Sequence, residues 1–377
     1  MISSPLLYLL CIASFSAIAV FLSKKEYPFL NYIPSIVLLY MFVMILSSWG
    51  LFEKNELIIN EYKSFKSNLL PAMLFLMLLP NKITSLLKLG PKMLLTFFLA
   101  TLSLFIAFVL SFVFFNLGHS DISIVAPLAG SWMGGTANML ALSSVVLSSE
   151  EDIGIIMLID SVDYSLWVML LLLLVPYASS FNTFTKASNP VKDVVVEDRC
   201  ALHFSAKGYI VLIISALLIS MLSQVLGISL SEFIGSATSW SIILATLAGI
   251  AFSFSSLSKI RGLQATANAM LYLLIALIAS RANIHFDMGL VFYLGLGICI
   301  LFIHALFMFV FAKLFRLDLF SISVASLANI GGIASAPILC AAYAQSLVGI
   351  GVLMATIGYI IGTFVALFLS EVLGWLI

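Results

Sequence analysis

The sequence predicts an all-α polytopic membrane protein built of two inverted repeats of five transmembrane helices, each repeat carrying a Gly-Gly re-entrant or broken-helix loop. Three observations predict it. The chain is 63% hydrophobic and 9% charged, with a mean hydropathy of +1.20, a composition foreign to soluble domains of 377 residues. Two stretches 197 residues apart then match in register. Gly134-Gly135 falls on Gly331-Gly332, Ala72-Met73-Leu74-Phe75-Leu76 on Ala269-Met270-Leu271-Tyr272-Leu273, Asp121 on Asp318, Ile153-Gly154 on Ile350-Gly351, and Met157 on Met354. One such match would be chance, whereas several at a single offset mark an internal duplication. The third observation is the uneven distribution of basic residues, counted below.

Apolar stretches lie near residues 2–23, 33–52, 67–80, 93–116, 124–147, 153–179, 208–227, 237–254, 265–280, 289–312, 319–341 and 346–375. Most approach the ~20 residues a crossing helix needs. The first has no positive segment before it, and Lys24-Lys25 follow it, which predicts a retained helix with an exterior N-terminus rather than a cleaved signal. The mixed-charge run 53–66 reads as an exterior loop, and Asn81 to Lys92 as a short amphipathic helix on the inner surface. Residues 1–180 form the first repeat, 181–206 a polar cytoplasmic linker around Asn189-Pro190, and 207–377 the second repeat.

Six crossings per half would make the halves parallel. If the glycine-pair segments 124–147 and 319–341 instead dip in and return, each half crosses five times, and thirteen Lys and Arg lie inside against four outside. Twelve crossings give at best eleven against six. The first count agrees better with the positive-inside rule. An odd number of crossings inverts the second half, so one loop enters from each side and the two meet tip to tip near the midplane, where irregular backbone is tolerated if it is buried in protein or lines a wet cavity.

Seventeen basic and seventeen acidic residues leave no net charge to attract nucleic acid. Cys11, Cys200, Cys299 and Cys340 lack metal-type spacing and read as packing residues, so no cofactor is expected. The expected partners are the lipid bilayer and a small-molecule substrate.

Glycine-interrupted segments at corresponding places in two halves are the best sequence pointer to a secondary transporter's binding site. In the first loop Ser131, Gly134, Gly135, Thr136 and Asn138 bring hydroxyls, an amide and close backbone approach to the tip. In the second, Asn329, Gly331, Gly332 and Ser335 repeat the design. Half-helices ending there present free N–H groups to an anionic group and free carbonyls to a cation. The competing reading is that small residues only allow close helix packing in lipid. Asp160 and Asp163 share one face of the following helix, at a depth where a carboxylate needs protein, water or an ion beside it. They read as a coupling site for Na⁺ or H⁺ with Ser161 and Tyr164 as helpers, or as a structural hydrogen-bonded pair. Their equivalents, Ile357 and Ile360, carry no charge, so such a site belongs to the first repeat alone. His304 reads as a packing residue, Asp121 and Asp318 as helix caps, and Gln264, Thr266 and Asn268 as either a solvated helix start or a cytoplasmic approach.

Gly134-Gly135-Thr136-Ala137-Asn138, together with Ala328-Asn329-Ile330-Gly331-Gly332 and the trailing Ala336-Pro337, resembles the YjcL-type integral membrane family ("domain of unknown function 819") over nearly the whole chain. That family is similar to the cation:proton antiporter and anion transporter superfamily, which includes glutamate:sodium symporters and 2-hydroxycarboxylate transporters. The resemblance implies a scaffold and a mobile transport domain, often dimeric, that carry a small carboxylate with Na⁺ or H⁺ by an elevator-like movement in the cytoplasmic membrane. The substrate does not carry over. Neither loop tip has a basic residue to pair a carboxylate, which leaves room for a zwitterionic or neutral solute such as an amino acid or small peptide. A passive channel is the first alternative, since glycine loops also form filters. An intramembrane enzyme is disfavoured, because Asp160 and Asp163 share one helix and no Gly-x-Ser-Gly motif is present.

Overall fold

The computed structural model describes residues 2–23, 35–53, 55–80, 89–187, 206–232, 236–260, 262–282, 288–344 and 347–377. Apart from two short 3₁₀ turns and one isolated bridge between Ile2 and Phe52, the regular structure of these residues is α-helical. In order the helices are α1 (Pro5–Ser23), α2 (Ser35–Ser48), α3 (Glu56–Leu78), α4 (Gly90–Phe114), α5 (His119–Gly134), α6 (Thr136–Val145), α7 (Glu150–Leu174) and α8 (Ala178–Thr185). They continue as α9 (Ala206–Ser231), α10 (Ala237–Phe252), α11 (Leu263–Ala279), α12 (Met288–Phe315), α13 (Leu319–Ile330), α14 (Gly332–Tyr343) and α15 (Val348–Trp375). In an apolar solvent a chain must satisfy its own backbone groups, which an apolar sequence does by local helix bonds. Six of the described helices are long and apolar enough to cross a membrane.

Shifted by 197 residues, α1 to α7 run onto α9 to α15 in the same order, with α8 in the connection between them. Packing cuts across this division. One compact unit consists of Met1–Asn81, Leu147–Ser161 and Arg199–Asp287; the other consists of Lys82–Val146, Val162–Asp198 and Met288–Ile377. The first unit thus gathers α1–α3 with α9–α11 and the start of α7. The second gathers α4–α6 with α12–α15, the rest of α7, and α8. Each unit draws on both halves of the chain, so the sequence boundaries at 180 and 207 mark the duplication rather than the packing.

In the first unit α3 is central, with residues Leu69 to Leu79 buried. A Cβ on Gly249 would meet the Leu78 side chain at 2.8 Å and the Phe75 carbonyl at 2.9 Å, so only glycine lets α10 lie this close to α3. The expected exterior loop over 53–66 is corrected here: from Glu56 onward it is the first part of α3. Asn55 caps the helix by accepting from the Ile58 N–H at 2.9 Å, Glu56 sits at the positive end of the dipole, and Ile58 and Tyr62 bury one face. A mean-hydropathy reading misses such a helix because its polar residues occupy the other faces. Tyr62 Oη donates to Glu150 Oε1 at 2.6 Å, tying α3 to the start of α7. The expected amphipathic helix over 81–92 and most of the 181–206 linker lie outside the described residues.

In the second unit every residue of α13 is buried. Asp318 caps α13 through the Ser321 N–H at 2.8 Å and pairs with Lys92 at 2.7 Å, while Asp121 accepts from Gly118 N–H at 2.8 Å, as the capping reading of both aspartates expects.

Candidate functional site

Both glycine pairs break a helix inside the second unit. α5 stops at Gly134, Gly135 takes φ 83°, and α6 starts at Thr136. α13 stops at Ile330, Gly332 takes φ 61°, and α14 starts there. A side chain at either positive φ is strained, so the turn chemistry itself requires glycine.

The two breaks converge on one side chain. Tyr359, midway along α15, sets its ring edge 2.9 Å and its hydroxyl 3.5 Å from where a Cβ on Gly135 would stand. The same hydroxyl lies 3.6 Å from the corresponding point on Gly332. Breaks from the two halves of the chain therefore flank a single phenol. Around it α5, α6 and α13 are almost wholly buried, yet Gly135, Thr136, Gly331, Tyr164 and Tyr359 retain partial exposure. Gly134 and Gly332 themselves are buried, so the exposure at the breaks is that of Gly135 and Thr136 on one side and Gly331 on the other, beside Tyr164 and Tyr359.

The predicted residues divide by what they touch. Asn138 is buried, accepts from Thr363 Oγ1 and donates to the Gly134 carbonyl at 2.7 Å. Asn329, also buried, accepts from Thr101 Oγ1 at 2.9 Å and donates to the Ala325 carbonyl at 2.9 Å. Each asparagine braces its own break against a helix from the other half of the chain. Ser131 is buried on α5, and its carbonyl receives the Gly135 N–H at 2.7 Å. Ser335 differs: it is 1% exposed, and its Oγ has no hydrogen-bond partner among the described residues. That hydroxyl lies one turn into α14, against Gly331, where the first N–H groups of a helix lack intrahelical acceptors. The N-terminus of α14, the Ser335 hydroxyl and the Tyr359 phenol together can hold an oxygen-rich or anionic group.

Asp160 and Asp163 lie on α7, but the division into units falls between them, after Ser161. Asp163 belongs to the second unit and is fully buried, and Asp160 belongs to the first and is partly exposed. Tyr164, next along α7, packs its ring against Gly331, and Trp167, one turn beyond Asp163, donates from Nε1 to Ser326 Oγ at 2.9 Å. These contacts place Asp163 on a stretch of α7 that packs alongside the end of α13.

Sequence reasoning missed Tyr359, Thr363 and Thr101, while His304, read as a hydrogen-bonded packing residue, is buried and bonded through both ring nitrogens. Gly358 and Gly362 flank Tyr359 at the small-xxx-small spacing that brings helices into close contact, a signal that could have found it. A Cβ on Gly362 would stand 2.5 Å from the Gly134 Cα and 2.7 Å from the Met133 carbonyl. His304 joins a one-way chain of hydrogen bonds. Trp167 Nε1 donates to Ser326 Oγ, Ser326 to His304 Nε2 at 2.8 Å, His304 Nδ1 to Ser103 Oγ at 2.7 Å, and Ser103 to the Ala100 carbonyl at 2.7 Å. Donors and acceptors balance with one ring proton, on Nδ1. The chain ties α7, α13, α12 and α4 together beneath the breaks.

Fold and site together define an all-helical, membrane-type protein whose two halves each break a buried helix at a glycine pair. The chain belongs to the family described as "Protein of unknown function (DUF819)", whose model matches residues 10–376. No curated protein matches it.

Proposed function

We propose that this chain is a secondary active transporter of a small organic solute, either a carboxylate, an amino acid or a small peptide, coupled to Na⁺ or H⁺. The observation that carries the reading is the convergence of the two glycine breaks on Tyr359, with partial exposure kept at the breaks. Mere packing of small residues gives no reason for Gly135, Gly331 and Tyr359 to keep partial exposure around one point. In this reading the solute's polar group docks on the N-termini of α6 and α14, with Ser335 and Tyr359 as side-chain donors and Asn138 and Asn329 as braces. Asp163 is the group that a cation or proton neutralises, because a carboxylate at membrane depth is costly unless compensated.

The same reading includes ten crossings, two re-entrant segments that enter from opposite sides, and both termini outside, in a multi-pass protein of the cytoplasmic membrane. A division in which one compact unit holds both breaks supports an elevator movement of that unit. The resemblance to the cation:proton antiporter and anion transporter superfamily supports the same class and a homodimeric assembly. A thermal-shift screen of organic acids, amino acids and dipeptides with and without Na⁺, followed by uptake into proteoliposomes, tests it. Saturable, concentrative uptake supports the proposal. Flux that neither saturates nor concentrates would assign a channel, and labels at residues 120 and 150 reporting opposite sides would sink the topology.

A further inference from the structure

A cavity of about 330 Å³ opens in the second unit between the end of α7, α8, α12 and α13. Its inner end reaches Trp167 and Ser326; its outer end is walled by Tyr177, Phe181 and Phe309. The Trp167 indole and the Ser326 hydroxyl are bonded to each other, and the Ser323 hydroxyl is the one buried polar atom of the lining without a partner among the described residues; the rest of the wall is mainly apolar. The walls suit a hydrocarbon chain.

The rim is cationic. Lys313 stands one turn after Phe309 on α12, with its ammonium 3.9 Å from the centre of the Phe184 ring, and Phe184 stacks on Phe309 at 5.3 Å. One Lys313 N–H goes to the Phe184 carbonyl, leaving two for another acceptor. Lys186 ends α8 and Arg316 follows α12, both exposed. No acidic residue occurs from Tyr164 to Lys186 or from Met288 to Leu317, and Asp318 is paired with Lys92. Helix dipoles favour cations at the C-termini of both α8 and α12, where Lys186, Lys313 and Arg316 gather at the ends of two neighbouring helices. Among the described residues no acid answers these three cations, and Lys313 is tied to the wall of the hydrocarbon-lined cavity through Phe184 and Phe309, an arrangement that suits an external anion carrying a tail.

We infer that this cavity binds an anionic phospholipid, with an acyl chain between α7 and α13 and the phosphate on Lys313 and Arg316. The orientation proposed above puts these cations at the cytoplasmic face, where anionic headgroups are enriched. The lipid is a structural ligand, distinct from the transported solute, and it fills the gap between α8 and the α12–α13 pair within the second unit.

The test compares the full chain in nanodiscs of phosphatidylcholine alone and with phosphatidylglycerol, reading lipid retained by native mass spectrometry and the melting temperature. Wild type should retain phosphatidylglycerol selectively and melt higher in its presence. Lys313→Gln with Arg316→Gln should reduce that retention roughly 25-fold, since each cation near the surface contributes about a fivefold change. Ala305→Phe, which fills the cavity and keeps every charge, should reduce it too. Equal retention of both lipids would overturn the site. So would an equal rise in melting temperature with inorganic phosphate, which would make it a headgroup-only anion site. A gain in retention on neutralising Asp193, Glu197 and Asp198 would give the cations to the linker instead. Retention is read with no solute present, so its failure leaves the transport reading standing, and the converse holds.

Discussion

At the first break, a Cβ on Gly134 would stand 2.9 Å from the Gly362 Cα, and one on Gly362 would stand 2.5 Å from the Gly134 Cα. At the second, the nearest atoms to a Cβ on Gly331 are the Ser335 hydroxyl and the Tyr164 ring, and Gly332 has nothing closer than 3.6 Å. Side-chain ends come closest at both turns, Asn138 and Tyr359 at the first and Ser335 and Tyr164 at the second, but at the first the Gly362 backbone also stands within 3 Å. The braces repeat the contrast. Asn138 holds the otherwise orphaned Gly134 carbonyl at the end of α5, whereas Asn329 donates to Ala325, and its Thr101 partner also reaches the Phe97 carbonyl at 3.1 Å. The two breaks are of one kind, and the close approach of Gly362 makes the first the tighter anchor.

The largest effect should come from closing the backbone contact. Gly362→Ala drives a methyl into Gly134 and the Met133 carbonyl, neither of which can rotate away, and should cost about 3 kcal/mol. Gly332→Ala meets only ordinary contact with the Tyr359 hydroxyl at 3.6 Å and suffers the left-handed backbone, about 1–2 kcal/mol. Melting midpoints in detergent check the order, and equal losses would break the anchor comparison.

Next come the braces. Asn138→Ala leaves Thr363 and the Gly134 carbonyl unanswered and should cost roughly 2 kcal/mol, while Asn329→Ala, with Thr101 still bonded, should cost about 1 kcal/mol. The reverse order, read by the same melts, would make the second break the rigid one.

How much of this could be read from the sequence depends on what each feature leaves there. The glycine pairs and the capping aspartates are local patterns, and they stand where the residues put them. The helix across 56–66 was hidden because its burial is on one face only, through Ile58 and Tyr62, so averaged hydropathy falls while periodicity does not. Tyr359 and Thr363 were not legible as partners of the breaks because the pairing Asn138 to Thr363 spans 225 residues and follows no shared register. The interleaving of the two units likewise leaves no compositional mark at residues 81, 146 or 161.

A smaller change in stability, with a large change in coupling, is expected at α7. Asp163→Asn keeps the shape and removes the charge that burial disfavours, so the fold should hold within about 1 kcal/mol while Na⁺- or pH-dependent accumulation disappears. Asp160→Asn, at a partly exposed position, should keep part of that dependence. Coupling that persists in Asp163→Asn would make the carboxylate a structural element.

The smallest structural effect belongs to Ser335, and it separates a ligand group from a packing group most cleanly. Its hydroxyl is buried with no protein partner, so Ser335→Ala removes an unanswered polar atom and should leave the melting midpoint unchanged or slightly raised. If a solute supplies the missing partner, the same change should weaken solute binding about tenfold, the equivalent of one hydrogen bond of about 1.4 kcal/mol. Stability and affinity then move in opposite directions, which a packing role cannot produce. A substitution at the first break cannot give this pattern, because Asn138 serves the fold and any loss of binding there comes with a loss of stability. If Ser335→Ala lowers the melting point and leaves solute binding alone, the second break is a packing device like the first, and the distinction between them fails.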